Sequence, residues 1–202
     1  MKKIIGLVGN NSDQSTNRQL LQYMAKHFDE EATLELMEIK GLPLFNKPKN
    51  YTILPQVKEM AKKIEAADGV IIATPEYDHS IPAALSNALA WLSYDVYPFV
   101  DKPVMIAGAS YGTLGSSRAQ THLHQILNAP ELKARVMPSA DFLLSHSLQA
   151  FDEQGQLVFP EKAKELDLLF AEFLDFMDLI GQLSTHHSEN KKIAKNYSWD
   201  EE

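Results

Sequence analysis

Ile4-Ile5-Gly6-Leu7-Val8, Val70-Ile71-Ile72-Ala73 and Val104-Met105-Ile106-Ala107-Gly108 are unbroken runs of uncharged, apolar residues. A strand with one wet face alternates apolar and polar residues. A run without that alternation is a strand covered on both faces, the situation of a parallel sheet between helices. Apolar residues recur at helical spacing between the runs, at Leu20, Leu21, Met24 and Phe28, at Val57, Met60, Ala61 and Ile64, and at Leu85, Leu89 and Leu92. Segment 118–127 reads as a further helix, and 163–183 as a long, very apolar one. Ala32 to Ile39 alternates in part and predicts the second strand; 136–144 contains a fifth. Alternating strand and helix, with no repeat and no internal linker, predicts one α/β domain with right-handed crossovers.

The chain has 202 residues, enough for one domain with a full core. That domain is expected over 1–183. Residues 184–202 lose the apolar pattern and predict a loose, polar C-terminal tail, with docking of Tyr197 and Trp199 on a neighbour as the alternative.

Composition removes several classes of function. With 19 Lys+Arg against 27 Asp+Glu, the formal charge of -8 argues against a general nucleic-acid binder. The chain has no cysteine, which excludes disulfides, thiolate catalysis and Cys-bound clusters. The apolar run after Lys2-Lys3 is only about six residues long, too short for a signal peptide. No run approaches the ~18–20 residues of a membrane span. A soluble, cytoplasmic protein is therefore expected. His122 and His124 are two apart and His186-His187 lies in the tail, so neither pair has the spacing of a helical zinc site, and no metal is expected.

In an open parallel sheet, ligands collect at the carboxyl ends of the strands, and three loops there are unusual. Gly9 to Arg18 joins a buried strand to a helix with hydroxyl and amide side chains. This fits either a phosphate subsite or an ordinary capped helix start with Ser15 or Asp13 as cap. It is neither a Walker loop nor a dinucleotide fingerprint. Thr74-Pro75-Glu76-Tyr77-Asp78-His79-Ser80-Ile81-Pro82 is stiffened by two prolines and suits the edge of a planar heterocycle, or else is a structural crossover with Tyr77 as packing. His79 fits a general base or a plain surface residue. Gly108 to Arg118 has glycines at 108, 112 and 115 that allow close backbone approach.

The segment from Thr74 to Ser93, TPEYDHSIPAALSNALAWLS, resembles the long PEYN signature of the NADPH-dependent FMN reductases. Ser110 to Gln120 resembles that family's second, glycine-rich motif. Gly9 to Arg18 resembles its phosphate loop, and Gly41 to Asn46 its L-P-L-Y-N loop. The match spans about 3–145. It implies a flavodoxin-like three-layer sandwich whose five-stranded parallel sheet has the order 2-1-3-4-5. It also implies an FMN-dependent oxidoreductase that takes hydride from NADPH or NADH and reduces a flavin, quinone or azo-type acceptor. The alternatives are an electron carrier, or a donor of reduced flavin without nucleotide oxidation. By the resemblance, Asn10, Ser15, Thr16 and Asn17 bind the phosphate, with Asn17 expected as an exposed helix-start amide. Pro75, Glu76, Tyr77 and Asp78 line the ring edge, with Asp78 the candidate catalytic group. Ser110, Gly112 and Gly115 close the other side, and Arg118 anchors a helix or contacts the nicotinamide nucleotide. Three positions depart from the pattern: Ser12 for arginine, Asp78 for asparagine and Ser116 for the second glycine. The first removes a bidentate phosphate donor. Helix 163–183 and Trp91-Leu92 point to a homodimer or homotetramer, with core packing as the other explanation.

Overall fold

The computed structural model describes residues 1–49, 52–138, 141–183 and 186–196. The chain runs β1 (Lys2–Val8), α1 (Thr16–His27), β2 (Ala32–Glu38), α2 (Pro55–Ala66), β3 (Gly69–Ala73), α3 (Ala83–Trp91), β4 (Pro103–Ala109), α4 (Ser117–Leu127), β5 (Arg135–Val136), β6 (Phe142–Leu144), α5 (Pro160–Gln182) and α6 (His187–Asn196). The sheet order is β2-β1-β3-β4-β5 and the pairings are all parallel. The uncharged runs are the three inner strands, as their lack of alternation requires. Ile5, Leu7, Val70, Ile72, Val104 and Ile106 pack into one core with α2, α3 and α4. Ile4, Val8, Ile71, Met105 and Ala107 pack into the other with α1 and α5. This is the three-layer flavodoxin-like sandwich.

Three expectations change. The fifth strand is two short pieces on one edge: β5 pairs with Pro103 and Val104, and β6 with Ala107 to Ala109. Pro138, between them, has no N–H to give a ladder. Trp91 and Leu92 are buried in the core, as are Phe170, Phe173 and Met177 of α5, so they carry no argument for a dimer.

The expected loose tail contains α6. Ala194 is buried against Tyr97 and Val100, Asn190 Nδ2 donates to Asp101 (2.7 Å), and Lys133 Nζ donates to Asn190 Oδ1 (2.8 Å). Lys191 pairs with Glu65 at 2.7 Å. The attachment is mostly polar, so apolar periodicity does not reveal it. Tyr197 and Trp199 lie outside the described residues. Among the described residues, no helix is long and apolar enough to cross a membrane.

Candidate active site

The inner strands end in register, and backbone bonds tie the three loops together at their roots. Gly9 N–H donates to Ala73 O (2.8 Å), Thr74 N–H to Ala107 O (3.0 Å) and Ser110 N–H to Leu144 O (3.0 Å).

The first loop opens α1. Ser15 is its N-cap, and its hydroxyl accepts from Arg18 N–H at 3.1 Å. Thr16 and Asn17 follow in the first turn, where N–H groups have no intrahelical acceptor. Arg18 turns back to brace the loop. Its Nε and Nη2 donate to the two carboxylate oxygens of Glu38 (2.6 and 2.9 Å), and its Nη1 to the carbonyls of Ser12 and Asp13 (2.9 and 3.2 Å). The hydrogen bond to Glu38 outweighs burial and holds the guanidinium above its ordinary value. Asp13 pairs with Lys40, which lowers its carboxyl. Asn17 is not the exposed amide expected: it is buried, and its side chain is bonded to the backbone of Ala109.

The second loop is built around a tight hairpin. Tyr77 N–H donates to Ser80 O (3.0 Å) and Ser80 N–H to Tyr77 O (2.9 Å). Asp78 and His79, at its tip, have φ of 49° and 64°. Two successive positive φ values define the type I′ turn that matches strand twist. Ser80 Oγ lies 2.7 Å from His122 Nδ1, tying the hairpin to α4. Glu76 faces the other way and caps α4. Its carboxylate accepts from Arg118 Nε (2.7 Å), Arg118 N–H (3.1 Å) and Ala119 N–H (3.4 Å), a favourable charge at a helix N-terminus.

In the third loop the glycines serve different ends. A Cβ at Gly108 would lie 1.9 Å from Ser116 Oγ and 2.5 Å from Thr74 O, so Gly108 makes room for protein rather than ligand. Gly115 has φ of 57° and abuts Leu143. Ser116, at the departing position, holds a left-handed φ of 71° and accepts from buried Gln120 Nε2 at 3.0 Å. Behind the loop, His146 N–H donates to Gly112 O and Ser147 N–H to Ser110 O, both at 3.0 Å. The Ser147 and Thr16 hydroxyls meet at 2.9 Å.

Together the loops enclose a cavity of roughly 480 Å³, within the range of small-ligand sites. Asn10, Ser15, Thr16, Asn17, Pro75, Glu76, Tyr77, Ser110, Gly112 and Arg118 line it. Gly115 and Asp78 do not; Asp78 is exposed at the hairpin tip. Gln14, Tyr111, Thr113 and Leu114 also line it and were missed. Their only sequence signal was membership of the same loops.

A parallel sheet whose central strands end in three such loops, with a helix N-terminus at their base, defines a nucleotide-binding protein of flavodoxin-like fold. The chain belongs to the NADPH-dependent FMN reductase family, whose model matches residues 2–149, and it is an FMN- and NAD(P)H-dependent oxidoreductase. It is 52% identical over 195 residues to the NADH:(hydroxy)cinnamate reductase subunit CrdA of Vibrio ruber, covering 96% of each chain. It is 41% identical over 181 residues to NADH-dependent flavin reductase subunit 2 of Lactobacillus johnsonii, covering 87% of this chain and 97% of that one. The flavoenzyme NAD(P)H:acceptor oxidoreductase FerB from Paracoccus denitrificans superposes with a TM-score of 0.79 at 25% identity, covering 88% of this chain and 98% of FerB.

The residues present fit FMN. Asn10 Oδ1 is buried on the cavity wall with no hydrogen-bond partner, and an unmet buried acceptor costs about 1–3 kcal/mol. The first turn of α1 beside it suits a phosphate.

Proposed function

We propose that Asn10, Ser15, Thr16 and Asn17 hold the FMN phosphate and ribityl chain, and that Pro75, Glu76, Tyr77, Ser110 and Gly112 bound its ring. The unpartnered Asn10 amide oxygen on the cavity wall, an acceptor suited to a ribityl hydroxyl, carries this reading together with the first turn of α1. When bound, FMN supplies the redox chemistry, accepting hydride from NAD(P)H and passing the electron pair to a small acceptor such as a quinone or flavin. The chain supplies placement. Ser15 fixes the first turn of α1 through Arg18 N–H, and Arg18 holds Ser12 and Asp13 in place. Glu76 aims Arg118 at the cavity mouth, where a guanidinium suits the anionic nucleotide.

The exposed side chains of Tyr77, Tyr111 and Leu114 leave the rim apolar, which suits a flat acceptor or the face of a second copy in a homodimer. A second reading is electron delivery to a partner protein, favoured by two relatives being named as subunits.

Anaerobic addition of NADH or NADPH to the purified yellow protein separates these. Bleaching of the flavin band by the chain alone supports direct nucleotide oxidation. No bleaching without a partner supports the second reading.

A further inference from the structure

A second cavity, of roughly 530 Å³, lies at the N-terminus of α1. It shares Gln14, Ser15, Thr16 and Tyr111 with the cofactor cleft, so the two meet across the phosphate loop. Its other walls include Gln19 and Gln22 on the exposed face of α1, and Leu148 on the turn after β6. Tyr111 and Leu148 are 60% and 61% exposed, an aromatic and an aliphatic side chain left in water at one concavity. Gln19, Gln22 and Leu148 lie outside the cofactor cleft and are not used in holding FMN.

We propose that this cavity receives the adenosine half of the nicotinamide dinucleotide, with the purine against Tyr111 and Leu148 and the Gln19 and Gln22 amides at its polar edge. The proposal rests on the reading of the chain as a nucleotide-oxidising enzyme. A base stacks on an aromatic face regardless of its identity, and side-chain amides supply both donors and acceptors for a purine edge. The charges on the same walls set the nucleotide preference. Arg18 lines the cavity, but both oxygens of Glu38 hold it, and Lys40 is taken by Asp13, another lining residue. A ribose 2′-phosphate would find both nearby cations already paired with carboxylates, so the subsite favours NADH over NADPH.

The test is a double variant, Leu148→Ser with Gln22→Ala, in the FMN-loaded protein; both side chains are exposed, so the core is untouched. Calorimetric titration with ADP-ribose should show about tenfold weaker binding than wild type. KM for NADH should rise about tenfold more than KM for reduced nicotinamide mononucleotide, which lacks the adenosine half. Separately, Asp13→Asn should raise the NADPH-to-NADH ratio of kcat/KM severalfold. Unchanged ADP-ribose affinity, or an equal rise in KM for both donors, overturns the subsite. If wild type oxidises neither donor, the nucleotide-oxidation reading itself falls, and the result is recognisable because it appears before any substitution.

Discussion

The side-chain amide of Asn17 closes a two-bond ring with the backbone of Ala109: Nδ2 donates to the carbonyl and Oδ1 accepts from the N–H, each at 2.9 Å. Ala109 is the last residue of β4, so this ring fixes the start of α1 against the strand that launches the third loop. The first and third loops of the cavity are thereby held at a set distance, with both groups out of water.

Asn17→Ala is therefore expected to destabilise the protein without cofactor, not only to loosen FMN. Two buried backbone groups would lose their partner, at a cost of about 1–3 kcal/mol each. Chemical denaturation of the apo protein checks this; a midpoint equal to wild type would return Asn17 to a purely ligand-binding role.

Gly108→Ala should be among the most damaging single-atom additions to the chain. The new methyl would need to displace Ser116 Oγ, the Thr74 carbonyl and Gln120 Nε2, all within 2.7 Å of it. Overpacking of this kind costs about 1–3 kcal/mol and shifts backbone. Soluble yield and thermal midpoint are the readouts, and Gly112→Ala is the control, since its Cβ meets nothing within 4 Å.

Asp78→Asn should leave the FMN reduction potential within about 5 mV of wild type, because an exposed carboxylate at a hairpin tip is screened by water. The left-handed φ at this position suits asparagine slightly better, so thermal stability should stay level or rise a little. A shift of tens of millivolts would put the carboxylate back beside the ring.

Acid should release α6 before the domain unfolds. Burial tends to raise the Asp101 carboxyl, but hydrogen bonds from Asn190, Arg135 and His187, with the charge of Arg135, outweigh it and leave it below its ordinary value. A depressed carboxyl contributes stability above its unfolded value of about 3.9, and that contribution fades as pH falls through the folded value. Limited proteolysis between pH 7 and about pH 3 should show cleavage within 187–196 appearing at the acid end. Asp101→Asn should show it already at neutral pH, and resistance in that variant would remove Asp101 as the latch.

Much of this was legible in the chain before any coordinate. Ile4–Val8, Val70–Ala73 and Val104–Gly108 suit inner strands, because an unbroken apolar run fits burial on both faces. The loops that follow them, and the long motif at 74–93, pointed to the segments that enclose the cavity. Only the tertiary structure decided which groups in those loops face the cavity and which face protein. The partner of Asn17 lies 92 residues away and that of Glu76 42 residues away. Gly108 and Gly115 read as ligand glycines yet are packing glycines. Asp78 read as a ring contact yet stands on a turn. The polar attachment of α6 left no apolar period to see. Periodicity records how each residue meets water, a local property written along the chain. Hydrogen-bond partners depend on how strands and helices close upon one another in space, which no local pattern records.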